Sequence, residues 1–321
     1  MRLIKISLLL LAFVVAAPAF AQLDTGFAQT DQTTLKLEPE FPKPGELVTI
    51  SLNSYGSSVY NSNIVWRYDG ELVADATNKR TIQVVAGDFG EKNTVVASLV
   101  SQSGSERQVS TAIEPGYIDI VIEPQTRVPN FFKGRALPSI GSSINATALV
   151  NNGNSNQSNL IYTWRLNNKV LANGPIRGTN QITFEMPRGS QSTLSLEIIN
   201  VNGEVVGRKA IILDSVRPEL VFYESNALYG SSHNSIVNSL ILLGANATIL
   251  AEPYFIDSRT YNNPDISEWK IDNSSRTVSA GNPYEITIQK LQDGGSSRVN
   301  FHVRSTTEVL QGAEDSIEIT F

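Results

Sequence analysis

The sequence predicts an all-β protein made of three consecutive β-sandwich domains behind a short N-terminal export segment. Three observations carry this. A pattern of about one hundred residues occurs three times, the signature of tandem domains. Each copy holds one tryptophan at the same place, Trp66, Trp164 and Trp269. Polar and apolar residues alternate along short runs separated by Gly, Asn, Asp and Pro, as half-buried strands and their turns require.

The repeat has three members. The first is a glycine-led strand, Gly45 to Leu52, Gly141 to Leu149 and Gly244 to Leu250. The second is a tryptophan strand ending in a turn: Ile64-Val65-Trp66-Arg67-Tyr68-Asp69-Gly70, then Tyr162-Thr163-Trp164-Arg165-Leu166-Asn167-Asn168, then Ser267-Glu268-Trp269-Lys270-Ile271-Asp272-Asn273. Asp-Gly, Asn-Asn and Asp-Asn tolerate positive φ, so each tryptophan strand is expected to fold back as a hairpin. The glycine-to-tryptophan separations are 21, 23 and 25 residues, and successive tryptophans lie 98 and 105 apart. The third member is a closing strand pair, starting at Thr94, Thr193 and Val299. With the chain ending on Ile317 to Phe321, the third repeat is expected to be complete. A tryptophan recurring at one strand position is expected to plug the space between two sheets packed ~10 Å apart, making all three core residues.

These members resemble bacterial extracellular Ig-like and PKD-like β-sandwich repeats, and the resemblance covers Leu35 to Phe321. It implies three immunoglobulin-like domains, over residues 35–124, 125–224 and 225–321, acting as spacers, stalks or adhesive modules. The turns depart from the Gly-Asp-Gly type usual in PKD domains, and the cysteine pair of antibody domains is missing.

Residues 1–21 read as a signal peptide. Arg2 and Lys5 are followed by the apolar stretch Leu8 to Ala17 and by Ala19-Phe20-Ala21, an A-x-A cleavage signature. The apolar stretch is shorter than the ~20 residues a spanning helix needs. Residues 22–34 are expected to be a flexible lead. Export to the periplasm, cell surface or medium follows, with no transmembrane segment in the mature chain. Removing two positive charges takes the formal net charge from −6 to −8. An acidic chain with no basic run excludes nucleic acid as a partner, because phosphate contacts need clustered Lys and Arg. The absence of cysteine means each domain relies on its core alone, and it removes thiol chemistry and thiolate metal sites.

Catalytic, cofactor and metal sites are expected to be absent. His233 and His302 stand apart from patterned acids, no G-x-S-x-G elbow or phosphate-cradling glycine loop occurs, and no D-x-D-x-D run marks calcium. Asn145-Ala146-Thr147 and Asn246-Ala247-Thr248 match a glycosylation triplet, but occupy one strand position that the shared fold accounts for. The alternating C-terminus also suits an outer-membrane barrel, which the tryptophan repeat argues against.

Two places remain for binding. The loops between the glycine and tryptophan strands differ most, one carrying Tyr55 and Tyr60, another Tyr254, Phe255 and Tyr261. Such loops gather at one end of a sandwich, so these five rings are the candidate contacts for a protein or glycan at the cell envelope. The apolar pairs Phe131-Phe132 and Leu228-Tyr229 lie in the two expected linkers and are expected to pack at domain junctions, stiffening the array. The leading function is a structural or adhesive spacer. The alternatives are a carbohydrate-binding module and a subunit of an envelope assembly such as a pilus or secretion system.

Overall fold

The computed structural model describes residues 33–54, 62–151, 153, 156–172, 174–278, 281–290 and 294–321. The first sandwich contains β1 (Thr33–Glu38), β2 (Leu47–Ser54), β3 (Ser62–Tyr68), β4 (Glu71–Leu72), β5 (Thr81–Val85), β6 (Asn93–Ser101) and β7 (Glu106–Ile113). The second contains β8 (Tyr117–Pro124), β9 (Ser143–Asn151), β10 (Ile161–Leu166), β11 (Lys169–Val170), β12 (Ile176–Arg177), β13 (Gln181–Glu185), β14 (Gln191–Ile199) and β15 (Val205–Asp214). The third begins with β16 (Glu219–Asn226), β17 (Gly230–Ser235), β18 (Ser239–Ile241) and β19 (Asn246–Tyr254). After the short helix α1 (Ser258–Asn262) it continues with β20 (Ile266–Ile271), β21 (Ser274–Arg276), β22 (Glu285–Gln289), β23 (Ser296–Arg304) and β24 (Gly312–Thr320).

Each sandwich pairs two sheets in one plan. The orders are β1-β2-β5 against β4-β3-β6-β7, and β8-β9-β13 against β11-β10-β14-β15, with β12 beside the start of β10. The third repeats the plan as β17-β16-β19-β22 against β18-β24-β23-β20-β21. Its additions are β17, which folds back on β16, and β18, which runs parallel to β24. Two antiparallel sheets, with sequential strands switching between them, form an immunoglobulin-like sandwich. Strand polarity explains the layering. On β5, β13 and β22 the buried residues are Ile82 and Val84, Ile182 and Phe184, and Ile286 and Ile288, while the residues beside them face out or sit at the margin. Ser316 to Thr320, the segment that suited a barrel, lies in β24 between β23 and β18. Among the described residues no helix is long and apolar enough to cross a membrane.

Each sandwich has its own core, and Trp66, Trp164 and Trp269 are 0, 1 and 0% exposed. The indole N–H groups of Trp66 and Trp269 donate to the carbonyls of Lys79 at 2.8 Å and Pro283 at 3.0 Å. Trp164 Nε1 has no partner, and neither has the buried hydroxyl of Tyr162 two residues before it.

The hairpin turns form as expected, with φ of +48° and +86° at Asp69 and Gly70, +48° and +67° at Asn167 and Asn168, and +48° and +65° at Asp272 and Asn273. Their first residues do more than accept positive φ. Asp69 Oδ1 accepts the backbone N–H of Thr94 at 2.6 Å, Asn167 Oδ1 that of Thr193 at 2.8 Å, and Asp272 Oδ1 that of Arg298 at 2.9 Å. The turn side chain therefore clamps the neighbouring strand in all three sandwiches. Replacing any of the three by Ala is expected to cost about 1–2 kcal/mol, measured by urea denaturation, because an N–H loses its acceptor and a positive-φ position loses a tolerant residue.

Strand pairing divides the chain differently from the sequence limits. Tyr117–Pro124, assigned by sequence to the first domain, pairs along β9 and opens the second sandwich. Glu219–Asn226 likewise pairs along β19 and opens the third. Pro124 misled because proline reads as a boundary, yet it is tolerated at the end of an edge strand. The Ser- and Asn-rich stretch after Glu224 is no linker, since it folds as the β16–β17 hairpin. Thr33 and Thr34, expected by sequence in the lead, pair with Ser54 and Asn53 in β1.

Candidate interaction surfaces at the joints

The second and third sandwiches are joined by a strap, residues 125–142, which leaves β8, crosses to the third sandwich and returns to β9. Arg127 N–H donates to the Ile256 carbonyl at 2.7 Å, and the Arg127 carbonyl accepts from Phe255 N–H at 2.7 Å. Ser258 N–H donates to the Gln125 carbonyl at 2.9 Å, completing a short antiparallel ladder between strap and loop. The strap's two phenylalanines then enter the third core. Phe131 stacks on His233 at 4.8 Å and meets Tyr223 edge-on at 5.3 Å, while Phe132 meets Tyr254 edge-on at 5.4 Å and Phe255 at 6.1 Å.

Polar groups lock the same joint. Asp257, 2% exposed, accepts the Ser143 N–H at 2.8 Å and those of Arg259. Arg259 reaches back to Glu185 at 3.1 Å and the Gly141 carbonyl at 3.3 Å. Gln311, 1% exposed, donates to Ser139 Oγ at 2.8 Å and the Ile140 carbonyl at 2.6 Å, and accepts from Asp257 N–H at 2.7 Å. Arg127 Nε donates to Glu252 at 2.6 Å while its guanidinium lies over the Tyr261 ring at 4.6 Å. Burial alone lowers the Arg127 pKa, but the hydrogen bond and charge of Glu252 more than offset it, so the guanidinium is held above its ordinary value.

The candidate rings of the third loop are consumed here. Tyr254 is 8% exposed, and its hydroxyl is paired with that of Tyr223 at 2.6 Å. Burial, then this hydrogen bond, pushes its pKa well above the ordinary tyrosine value. Tyr261 stacks on Tyr284 at 4.5 Å, and the Tyr284 hydroxyl donates to the Tyr261 carbonyl at 2.7 Å. Phe255 is held at φ +59°, a strained conformation for a bulky residue, between the Arg127 carbonyl and the Phe132 ring. Phe132 and Arg127 of the strap thus pack on the rings that the sequence offers as candidate contacts for an external ligand. Tyr55 and Tyr60 lie outside the described residues. Leu228 and Tyr229 also differ from expectation: they are 85 and 88% exposed and pack at no junction. Sequence reasoning passed over Asp257, Arg259 and Gln311, whose polar residue types read as ordinary loop surface.

Asp265 secures the far side of the joint loops. Its Oδ2 accepts from Thr306 N–H at 2.6 Å, Thr306 Oγ1 at 3.0 Å and Ser305 Oγ at 3.1 Å. The backbone N–H of Thr306 first, then the two hydroxyls, hold its carboxyl below the usual carboxylate range. A depressed folded pKa gives stability that is present above the unfolded value and lost as pH falls through the folded one. Residues 305–311 are therefore expected to lose hydrogen-exchange protection below about pH 4, and Asp265→Asn to flatten that dependence.

The first and second sandwiches meet through a lighter joint. Arg208 donates to Glu40 at 2.9 Å with both side chains largely exposed, and its guanidinium lies over Phe41 at 5.9 Å. Gly116 N–H donates to the Pro42 carbonyl at 2.9 Å. Gly153 lies so close to the backbone of Gly90 that any β-carbon would overlap it, and the Phe41 ring stands 3.9 Å from where a β-carbon on Gly207 would lie. Beside these contacts an open cleft of about 560 Å³ is lined by Glu40, Glu91, Lys92, Glu114 and Glu204. Exposed ion pairs of this kind contribute about 0–1 kcal/mol. Among the described residues no group of three or more His, Cys, Asp or Glu could hold a metal ion.

No protein-family model matches the chain, and no curated protein matches it. Among solved structures it is similar to the central fibronectin-III array of RIM-binding protein, at 13% identity and TM-score 0.29, covering 91% of this chain and 97% of that one. It is also similar to the three N-terminal domains of the bacteriophage RB49 highly immunogenic outer capsid protein, at 10% identity and TM-score 0.26, covering 90% and 98%. A third is the Bacteroides ovatus glucan-utilisation protein SGBP-B, in complex with a mixed-linkage heptasaccharide, at 13% identity and TM-score 0.22, covering 91% and 71%. Likeness at this level bears on neither ligand nor role. The chain's own sheets define the class, an all-β tandem array of immunoglobulin-like sandwiches.

Proposed function

We propose that the protein is an exported, non-enzymatic array of the bacterial Ig-like and PKD-like extracellular kind, serving the cell envelope as a spacer and interaction protein. The observation that carries this reading is the second joint. The loops and aromatic rings that such sandwiches can offer to ligands are spent on fixing one domain against the next. Tyr261, held between the Tyr284 ring and the Arg127 guanidinium, and Tyr254, 8% exposed, offer no open ring face there to stack a sugar. The domain limits proposed from the pairing are 33–114, 117–214 with its strap 125–142, and 219–321. Residues 1–21 supply the export signal. The test is fractionation of cells with intact-mass analysis: an extracytoplasmic chain beginning at Gln22 is expected. A cytoplasmic chain that retains Met1 contradicts the reading.

A further inference from the structure

The β16–β17 hairpin ends in Ala227-Leu228-Tyr229, and its two large side chains stand almost wholly in water at 85 and 88% exposure. Among the described residues the first and second sandwiches have no such hairpin on their opening strands, β1 and β8. Strand register places the tip. Ser225 pairs with Thr248 near the Asn246 end of β19, whereas the strap joint lies at the opposite end, where Glu219 pairs with Tyr254. The tip therefore lies at the end of the third sandwich away from the strap joint. Ile241 and Leu243, 67 and 93% exposed, lie at the same end, because β18 runs parallel to β24 and pairs Ile241 with Thr320.

An open cleft of about 630 Å³ occupies the other side of that end, lined by Ile271, Arg276, Ile286, Ile288, Gly295 and Phe321. Register again fixes its position, since Gln289 pairs with Asn246 and Ser296 with Thr320. Knob and cleft thus share one end but sit at opposite edges of the sheet β17-β16-β19-β22, three strand spacings or roughly 14 Å apart.

We propose that this end is a self-association surface, on which two copies dock tail to tail about a two-fold axis. The rotation carries the knob of each copy onto the cleft of the other, so a single surface is self-complementary. Charge fits the same arrangement, with Glu224 exposed at the base of the knob and Arg276 at the wall of the cleft. The side chains of Leu228 and Tyr229 bury about 300 Å² in each contact. Counted with the matching cleft walls and both contacts, that gives about 1,200 Å², the lower end of specific interfaces. Weak, concentration-dependent dimers follow.

The test is sedimentation velocity on the whole mature chain over about 1–200 µM, a range that brackets weak dissociation constants. A monomer–dimer equilibrium is expected. Leu228→Ser with Tyr229→Ser is expected to weaken it at least ~10-fold with unchanged thermal unfolding, since neither side chain supports a core. Glu224→Arg and Arg276→Glu are each expected to weaken it, and the double reversal to restore it. A chain monomeric across the whole range overturns the proposal, leaving the knob to a different partner. A dimer indifferent to the knob pair, or one that the double reversal fails to restore, overturns it equally.

Discussion

Replacing Phe131 and Phe132 together by alanine is expected to destabilise the third sandwich by about 4–6 kcal/mol, although both residues lie in chain between two strands of the second. Fully buried Phe→Ala changes cost about 3–5 kcal/mol each, and these partly buried rings are discounted from that range. The two neighbours share partners, so their effects are not simply additive. The loss is large against the about 5–15 kcal/mol that a domain commands. It also falls on specific groups: Tyr223 and His233 lose Phe131, while Tyr254 and the strained Phe255 lose Phe132. Hydrogen exchange followed by mass spectrometry reads the outcome sandwich by sandwich. Protection is expected to collapse in β16, β17 and β19 and to persist in β2 and β6. Uniform loss, or loss confined to the second sandwich, contradicts the strap's role.

The tryptophans give the second large effect, with an internal contrast. Each Trp→Ala change is expected to cost about 3–5 kcal/mol in its own sandwich, by emptying the space between the sheets. Trp→Phe separates packing from hydrogen bonding. At Trp66 and Trp269 it removes the indole donor from the Lys79 and Pro283 carbonyls, adding about 0.5–1.5 kcal/mol to the packing loss. At Trp164 no hydrogen bond is lost, and an unpartnered buried N–H is removed. Trp164→Phe is therefore expected to be the mildest of the three, as measured by denaturant midpoints. Equal costs at all three positions contradict the difference in pairing.

The repeat was legible because its elements are local. The tryptophan, the positive-φ turn and the alternating strands each declare themselves within ten residues. The polarity of β8 was also on view, in the alternation of Ile118, Ile120 and Ile122, but Pro124 drew attention as a boundary instead. The joint was hidden for a different reason. Gln311 meets Ser139 across 172 positions of sequence, and Arg127 meets Glu252 across 125. No periodicity announces such partners, and a buried Gln or Asp looks like any loop residue until its carbonyl or amide partner is in place. Phe131 and Phe132 were read correctly as junction residues. The junction they serve is the second, because the strap leaves the second sandwich between its first two strands. Leu228 and Tyr229 looked identical in kind and proved exposed, since nothing in a two-residue apolar pair distinguishes a hairpin tip from a buried plug.

Unequal joints are the central claim: a locked second–third unit carried on a lighter first joint. Pulsed electron–electron spin resonance distances on the whole mature chain test it directly, with label pairs at exposed strand positions spanning each joint. A narrow distribution is expected between Thr183 and Thr287, and a broader one between Gln83 and Thr183. Equal widths across the two joints, or a broad distribution across the second, contradict the account.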